Sequence, residues 1–356
     1  MANYVDRRTG SLRALVCVAM FFSSLLFGSN VAATISHTGT ISAHTTWTAG
    51  DVHLVTGNVT VSPGIIVTIE PGAIVKFNSG RSLTINGALV AVGVDGGRIT
   101  FTSYRDDSIG GDTNGDGPSE AHPGDWGQIQ FGNSVTESLT TVENIDVFYA
   151  GSSGYTVYIY RNDITVSSST IQSGSSRGLW IQEGSPTISG NTIEGHATEG
   201  IYARYGSSLI SGNTLSNNDD GIYIRDSAST ISDNVVTDNT NWGIYYYNAS
   251  ASPVITGNTV TDNGYSVRLP AGSVPDVADG NTLLPNLRNA IYIIGNNRTS
   301  DLQLDVLSNA GAGLNTYKLD GTWTMASGTT LTVSPGVVVK LQGSSIVING
   351  TLLAQG

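Results

Sequence analysis

One six-position pattern returns at near-equal intervals across the middle of the chain: an apolar residue, two positions, Asn or Ser, one position, and a second apolar residue. It is read at Val166/Ser169/Ile171, Ile188/Asn191/Ile193, Ile210/Asn213/Leu215, Ile231/Asn234/Val236 and Ile255/Asn258/Val260. A looser copy lies at Ala278/Asn281/Leu283, and Val142 opens the series. A period in the low twenties is too short for helical-hairpin repeats and leaves leucine-rich repeats or single coils of a β-solenoid. The leucine-rich consensus is absent. Each unit instead offers short segments of alternating polarity, such as ISGNTI and GIYI, set between Gly, Asn, Asp and Ser turns. Stacked, such units predict an all-β chain whose coils line up into parallel sheets.

The segments TISGNTI, LISGNTL, TISDNVV and VITGNTV resemble the repeats of the right-handed parallel β-helix proteins, the pectate-lyase-like superfamily, over roughly residues 130 to 285. The resemblance implies an all-β, right-handed parallel β-helix with coils of about 21–24 residues. It implies no single reaction, because that superfamily holds lyases, hydrolases, epimerases, phage tailspikes and adhesins. Asn191, Asn213, Asn234 and Asn258 would then point inward and bond along the stack, since an amide both donates and accepts. A residue required in every coil serves the fold rather than a reaction.

A second, longer echo brackets the coils. The segment from Gly64 to Gly93 resembles that from Gly328 to Gly356, with Gly72 and Lys76 matching Gly336 and Lys340 at an offset of 264. The expected organisation is residues 34–131 as an N-terminal cap and first module carrying an acidic loop at 106–125, 132–285 as β-helix coils, and 286–356 as the start of a second module copy that reads as truncated. Residues 1–33 carry Arg7, Arg8 and Arg13, an apolar run from Ala14 to Gly28 and the small-residue sequence SNVAA, which predicts a signal peptide cut near Ala33. The apolar run is too short for a transmembrane span, so the mature chain is expected to have none and to be secreted or displayed at the cell surface. The single cysteine, Cys17, falls within that signal. Removing three Arg and one Asp with the signal takes the net charge from −12 to −14, which disfavours nucleic acid as a partner.

Three constellations carry candidate chemistry. In DTNGDG, the residues Asp112, Asn114 and Asp116 present oxygens at alternate positions as a calcium loop does, although Pro123 stands where an EF-hand needs Glu. Calcium is therefore the one cofactor expected, with a plain solvated acidic insertion as the alternative. Tyr158, Trp180, Tyr202, Tyr223 and Tyr245 recur at spacings of 22, 22, 21 and 22. Their neighbours Leu179, Ile181, Ile201 and Ile222 are apolar and core-facing, so alternation turns the rings outward. Tyr292 extends the column. An exposed aromatic strip predicts an extracellular polysaccharide partner, with Arg204 and Arg225 alongside to meet hydroxyls or uronates. The alternative is a ladder of rings that stabilises the sheet by stacking. Finally, Arg177, Glu199, Asp220 and Trp242 are also in phase. This places Glu199 and Asp220 on adjacent coils as a candidate paired-carboxylate site, or as a surface ion ladder screened by Arg177.

The chain carries no D-P-H motif of alginate epimerases, no G-H-G of polygalacturonases and no R-x-P-x-x-R of pectate lyases, and its five histidines show no zinc-site spacing. The expected function is accordingly polysaccharide binding or a structural and adhesive role. The alternatives are a polysaccharide lyase, glycoside hydrolase or uronate epimerase, and a passive spacer in a surface array.

Overall fold

The structure, a computed structural model, describes residues 33–248, 253–274, 280–307, 314–341 and 343–354. All but the last residue of the predicted signal lie outside the described residues, as does Ala278. No helix among the described residues is long and apolar enough to cross a membrane.

The repeat seen in the sequence is the register of the fold. One coil runs through Thr165–Ser167, Thr170–Gln172 and Arg177–Gln182, and the next through Thr187–Ser189, Thr192–Glu194 and Ile201–Arg204. Each strand pairs in parallel with its equivalent one coil later. Val142 pairs with Val166, then Ile188, Ile210, Ile231 and Ile255 follow in file. Ile171, Ile193, Leu215, Val236 and Val260 form a second file. Both files are fully buried. Burial of one such side chain is worth about 1.5–3 kcal/mol, so the interior is a stack of aliphatic layers.

Between the first two strands of each coil the chain must turn sharply. The residue there has positive φ: +65° at Gly190, +63° at Gly212 and +67° at Gly257. Ser168 and Asp233 take the same conformation at +53° and +57°, which short polar residues tolerate better than branched ones. The next residue is Ser169 after Ser168 and asparagine in the later coils, and the asparagine amide runs the predicted ladder. Asn191 Nδ2 and backbone N both donate to Asn213 Oδ1 at 2.9 Å. Asn213 repeats this on Asn234, Asn234 on Asn258, and Asn258 on Asn281.

A second ladder, not anticipated from sequence, runs along another corner through Asn218, Asn239, Asn263 and Asn286. His196 starts it, with its backbone N–H donating to Asn218 Oδ1 at 3.0 Å. Its ring is buried and bonds the Ile171 carbonyl at 3.0 Å. A carbonyl only accepts, so Nε2 carries the proton. Burial lowers this histidine from 6.5 to about 4, and the bond to Ile171 opposes the shift.

The two copies of the longer echo form matching strands, Ile74–Phe77 and Val338–Leu341, in very different surroundings. Lys76 is fully buried under the acidic loop, donating from Nζ to the Asp106 carbonyl at 2.9 Å and the Gly111 carbonyl at 2.6 Å. Burial lowers its pKa, against the pull of Asp106, Asp107 and Asp112. Lys340 lies exposed.

Candidate functional site on the outer sheet face

The site is built on the strands Tyr155–Tyr160, Arg177–Gln182, Ile201–Arg204, Ile222–Arg225 and Trp242–Tyr246, which pair in order. Alternate residues Leu179, Ile181, Ile201, Ala203, Ile222 and Ile224 are fully buried in the interior. Tyr158, Trp180, Tyr202, Tyr223 and Tyr245 are direct partners on the opposite face, so the predicted column exists. Its rings follow one another at 4.9, 6.1, 4.9 and 4.8 Å between centroids, close to the strand repeat.

The expectation that these rings are exposed is corrected in part: Trp180, Tyr223 and Tyr245 are half-buried, and the others are buried. Tyr158, Tyr202 and Tyr292 retain only 9, 8 and 7% of their accessible surface. Each ring lies against the next, stacked at Tyr202 and Tyr223, tilted or edge-on elsewhere, so the ring faces are covered in part. Where the spacing widens to 6.1 Å between Trp180 and Tyr202, the Arg177 guanidinium sits 5.6 Å from the first ring and 4.7 Å from the second. Burial pushes the Tyr158 hydroxyl up to about 12, and that hydroxyl donates to Gln182 Oε1 at 2.9 Å.

Outside the column runs a more open file. Tyr160, Gln182, Arg204 and Arg225 are register partners. Arg204 lies 4.5 Å over the Tyr205 ring and donates to its hydroxyl at 2.6 Å. Arg225 lies 4.7 Å over Tyr247, which is 46% exposed. The nearest carboxylate to Arg225 is Asp226, at 3.6 Å. Two adjacent guanidiniums, one of them paired with Asp226, are edged by accessible rings.

The carboxylates divide. Glu199 is drawn to Arg177, with 2.9 Å between Oε2 and Nε, so it belongs to an ion ladder rather than to an open pair of acids. Asp220 is different. It is 7% exposed and accepts the Trp242 backbone N–H at 3.0 Å. Burial raises it from 3.8 to about 6, while the Trp242 hydrogen bond holds it down and Asp219 and Glu199 add to the rise. Asp219 is raised as well, by burial and by Glu199. Such a carboxyl can hold a proton near neutrality.

Asp112, Asn114 and Asp116 fall in one turn, remote in sequence from this face. Asp112 accepts the Gly115 and Gly117 N–H groups at 2.6 and 3.1 Å, so both of its oxygens hold the loop together. The buried amide atoms of Asn114 have no partner. Among the described residues, no three His, Cys, Asp or Glu side chains gather as a metal site.

Sequence reasoning placed Tyr292 in this column but missed the basic residues on either side of it. After Tyr245 the column passes to Arg268, then Tyr292, Lys318 and Lys340. The file of Arg177, Glu199, Asp220 and Trp242 continues through Tyr265 to Arg288. Trp242 and Tyr265 stack at 4.3 Å, and both meet Tyr292 edge-on, at 4.9 and 5.4 Å. Arg268, Lys318 and Lys340 are not aromatic, so a search for periodic rings passed over them.

The family description "right handed beta helix region" matches residues 129–297. That segment is a right-handed β-helix. The match spans the coils that build the site, from the strand ending in Phe131 to the one ending in Ile294. No curated protein matches the chain significantly. Among solved structures, the chain is similar to the A-module of a mannuronan C-5 epimerase from Azotobacter vinelandii, at 11% identity and a TM-score of 0.35, covering 91% of this chain and 89% of that one.

Proposed function

We propose that this β-helix protein is exported and binds an extracellular polysaccharide along the outer face, with the chain lying beside the aromatic ladder. The carrying observation is the file of Arg204 and Arg225 with Tyr205 and Tyr247 at its edge. Planar cations held over rings present fork-like donors and apolar surface together, the combination that packs a pyranose and bonds its substituents. The stacked column is the rigid backing, and the accessible outer file makes the contact. Binding of a panel of acidic and neutral glycans to the mature chain, measured by calorimetry, tests this reading. Tenfold or greater weakening in R204A/R225A is expected, and equal binding by that variant and the wild type would remove it.

A second reading, hydrolysis or lyase chemistry at this face, is favoured by the raised carboxyl of Asp220. It requires turnover that D220N abolishes. New reducing ends or unsaturated products formed equally by D220N would end it.

A further inference from the structure

Both asparagine ladders end at the same step of the stack, between the coil of residues 165–182 and the coil of residues 187–204. From Asn213 and Asn218 onward, the backbone N–H and the amide of each asparagine donate to the next Oδ1, and that next amide reaches back to a carbonyl of the earlier coil. At the step in question Ser169 stands in place of the first asparagine, and only its backbone N–H donates to Asn191 Oδ1, at 3.0 Å. At the other corner the equivalent position is Gly174, which offers no side chain, and His196 reaches back from the next coil to the Ile171 carbonyl at 3.0 Å. We propose that this step is an acid-sensitive joint: protonation of His196 uncouples the ladder-braced coils from those before them, so the stack opens as one unit at neutral pH and as two in acid. The inference needs no ligand and stands apart from the polysaccharide reading.

The coil beneath is cut to admit the ring. A Cβ on Gly174 would fall 2.5 Å from His196 Nδ1, and one on Gly178 would fall 2.9 Å from Nε2 and Cδ2, so a side chain at either position would collide with the imidazole. Asparagine would serve the corner equally well, as Asn218 does from the next coil with its Nδ2 on the Ile193 carbonyl at 3.2 Å. What histidine adds to that bond is a second nitrogen that titrates. Because Nε2 carries the proton given to Ile171, an added proton must go to Nδ1, which is buried and has no partner. The groups facing the ring are Thr156 from Tyr155–Tyr160, Ile171 from Thr170–Gln172, Gly174, Gly178 from Arg177–Gln182, and Asn218 from the coil after. None is charged. The charged residues on either side of His196 are engaged elsewhere: Glu194 accepts from Ser216 at 3.3 Å, and Glu199 pairs with Arg177 at 2.9 Å. A cation formed here has no counter-charge, and a buried unpaired charge costs far more than a lost hydrogen bond, so opening is the easier response.

The outer face is loosest at the same step. Register partners in the aromatic column lie 4.8 or 4.9 Å apart except Trp180 and Tyr202, which meet edge-on at 6.1 Å with the Arg177 guanidinium beside both rings. In a nearly one-dimensional fold each coil is held by its two neighbours, so a step poor in side-chain bonds is where cooperative units part. The direction of the pH effect follows from burial. His196 takes its proton near 6.5 once exposed and near 4 in the closed fold. The open state therefore binds the proton first as pH falls. Coupling across the joint is complete above 6.5, weakens as pH falls, and reaches its floor below 4. His37 is also lowered to about 4, by burial and by His53, but it lies in Thr34–Ile41, so its titration loosens a different part of the chain.

The test is amide hydrogen exchange of wild type, H196N and H37L at about pH 7 and about pH 4.5, corrected for the pH dependence of intrinsic exchange. A melt at neutral pH confirms that the variants fold. In wild type the strands facing the joint, Arg177–Gln182 and Ile201–Arg204, are expected to exchange at least tenfold faster in acid. Strands deeper in the ladder, such as Val235–Thr237 and Thr259–Thr261, are expected to change less than twofold. H196N should lose the acceleration at the joint, and H37L should keep it. Equal acceleration in H196N overturns the proposal, as does its loss in H37L. Acceleration spread evenly along the wild-type chain overturns it too, because that is general acid weakening and not a joint. Exchange of the imidazole C2 hydrogen, read by mass spectrometry on wild type, follows His196 without any substitution. A midpoint well below 6.5 is expected, and a midpoint at or above it overturns the proposal even if H196N fails to fold.

Discussion

Asp220 shows how one buried carboxyl couples the site to stability. Its folded-state pKa is about 6 against 3.8 in the unfolded chain, chiefly through burial. The unfolded state therefore loses the proton first as pH rises. Stability associated with this group is fully present below 3.8, declines as pH rises, and is lost once pH passes 6. D220N keeps an acceptor for the Trp242 N–H and removes the charge. It should stabilise the protein by about 1–2 kcal/mol at pH 8, a figure discounted for partial solvation, and change little at pH 3.5. Melting temperatures of both proteins at the two pH values check this; an equal difference at both would mean that the carboxyl is not titrating as described. Phase alone brought Asp220 and Glu199 to attention, but not their different roles. The sequence placed Arg177 in the same file, and only the rotamers decide that it takes Glu199 at 2.9 Å and leaves Asp220 to its backbone partner.

At the scale of the element, the asparagine ladder behaves as a chain of linked bonds. Asn213 Oδ1 accepts from both the backbone N and the Nδ2 of Asn191, while its own Nδ2 donates to the Ile188 carbonyl and to Asn234 Oδ1. N213A leaves buried groups on both neighbouring coils without partners, each costing about 1–3 kcal/mol. The expected loss is about 2–4 kcal/mol in urea unfolding, against less than about 0.5 kcal/mol for T214A at the adjacent exposed position. Similar losses for the two would make the ladder incidental. This ladder was legible because its asparagine sits at a fixed place between two apolar residues. The ladder through Asn218, Asn239, Asn263 and Asn286 was not, because its flanks vary from SNNDD to LLPNL and its first position is His196. The aromatic column was legible in position and only in part in exposure. Alternation says which side of the sheet a ring takes, whereas burial depends on how closely neighbouring rings lie. At separations of 4.8 to 6.1 Å they bury Tyr158 and Tyr202 and leave Trp180, Tyr223 and Tyr245 half-buried.

At the scale of the whole molecule, each coil touches chiefly the coils before and after it, so the fold is close to one-dimensional and its units are exchangeable in principle. The register makes this a sharp statement. Thr192 pairs with Thr214, Ile193 with Leu215 and Tyr202 with Tyr223, so excising residues 192–213 joins Asn191 to Thr214 with every later side chain still on its own face. The amide ladder then closes from Asn191 to Asn234, Trp180 comes to lie beside Tyr223, and Arg177 takes Asp220 as its neighbour in place of Glu199. The shortened protein should retain its β-sheet circular dichroism and cooperative melting, with a urea m-value reduced roughly in proportion to the area lost with one coil. Excising only residues 192–202 removes half a coil and turns interior positions toward solvent, because alternation along a strand has a period of two and each lane must meet its own kind. That variant should fail to fold. Survival of both deletions, or of neither, would contradict an architecture in which one complete coil is the indivisible unit.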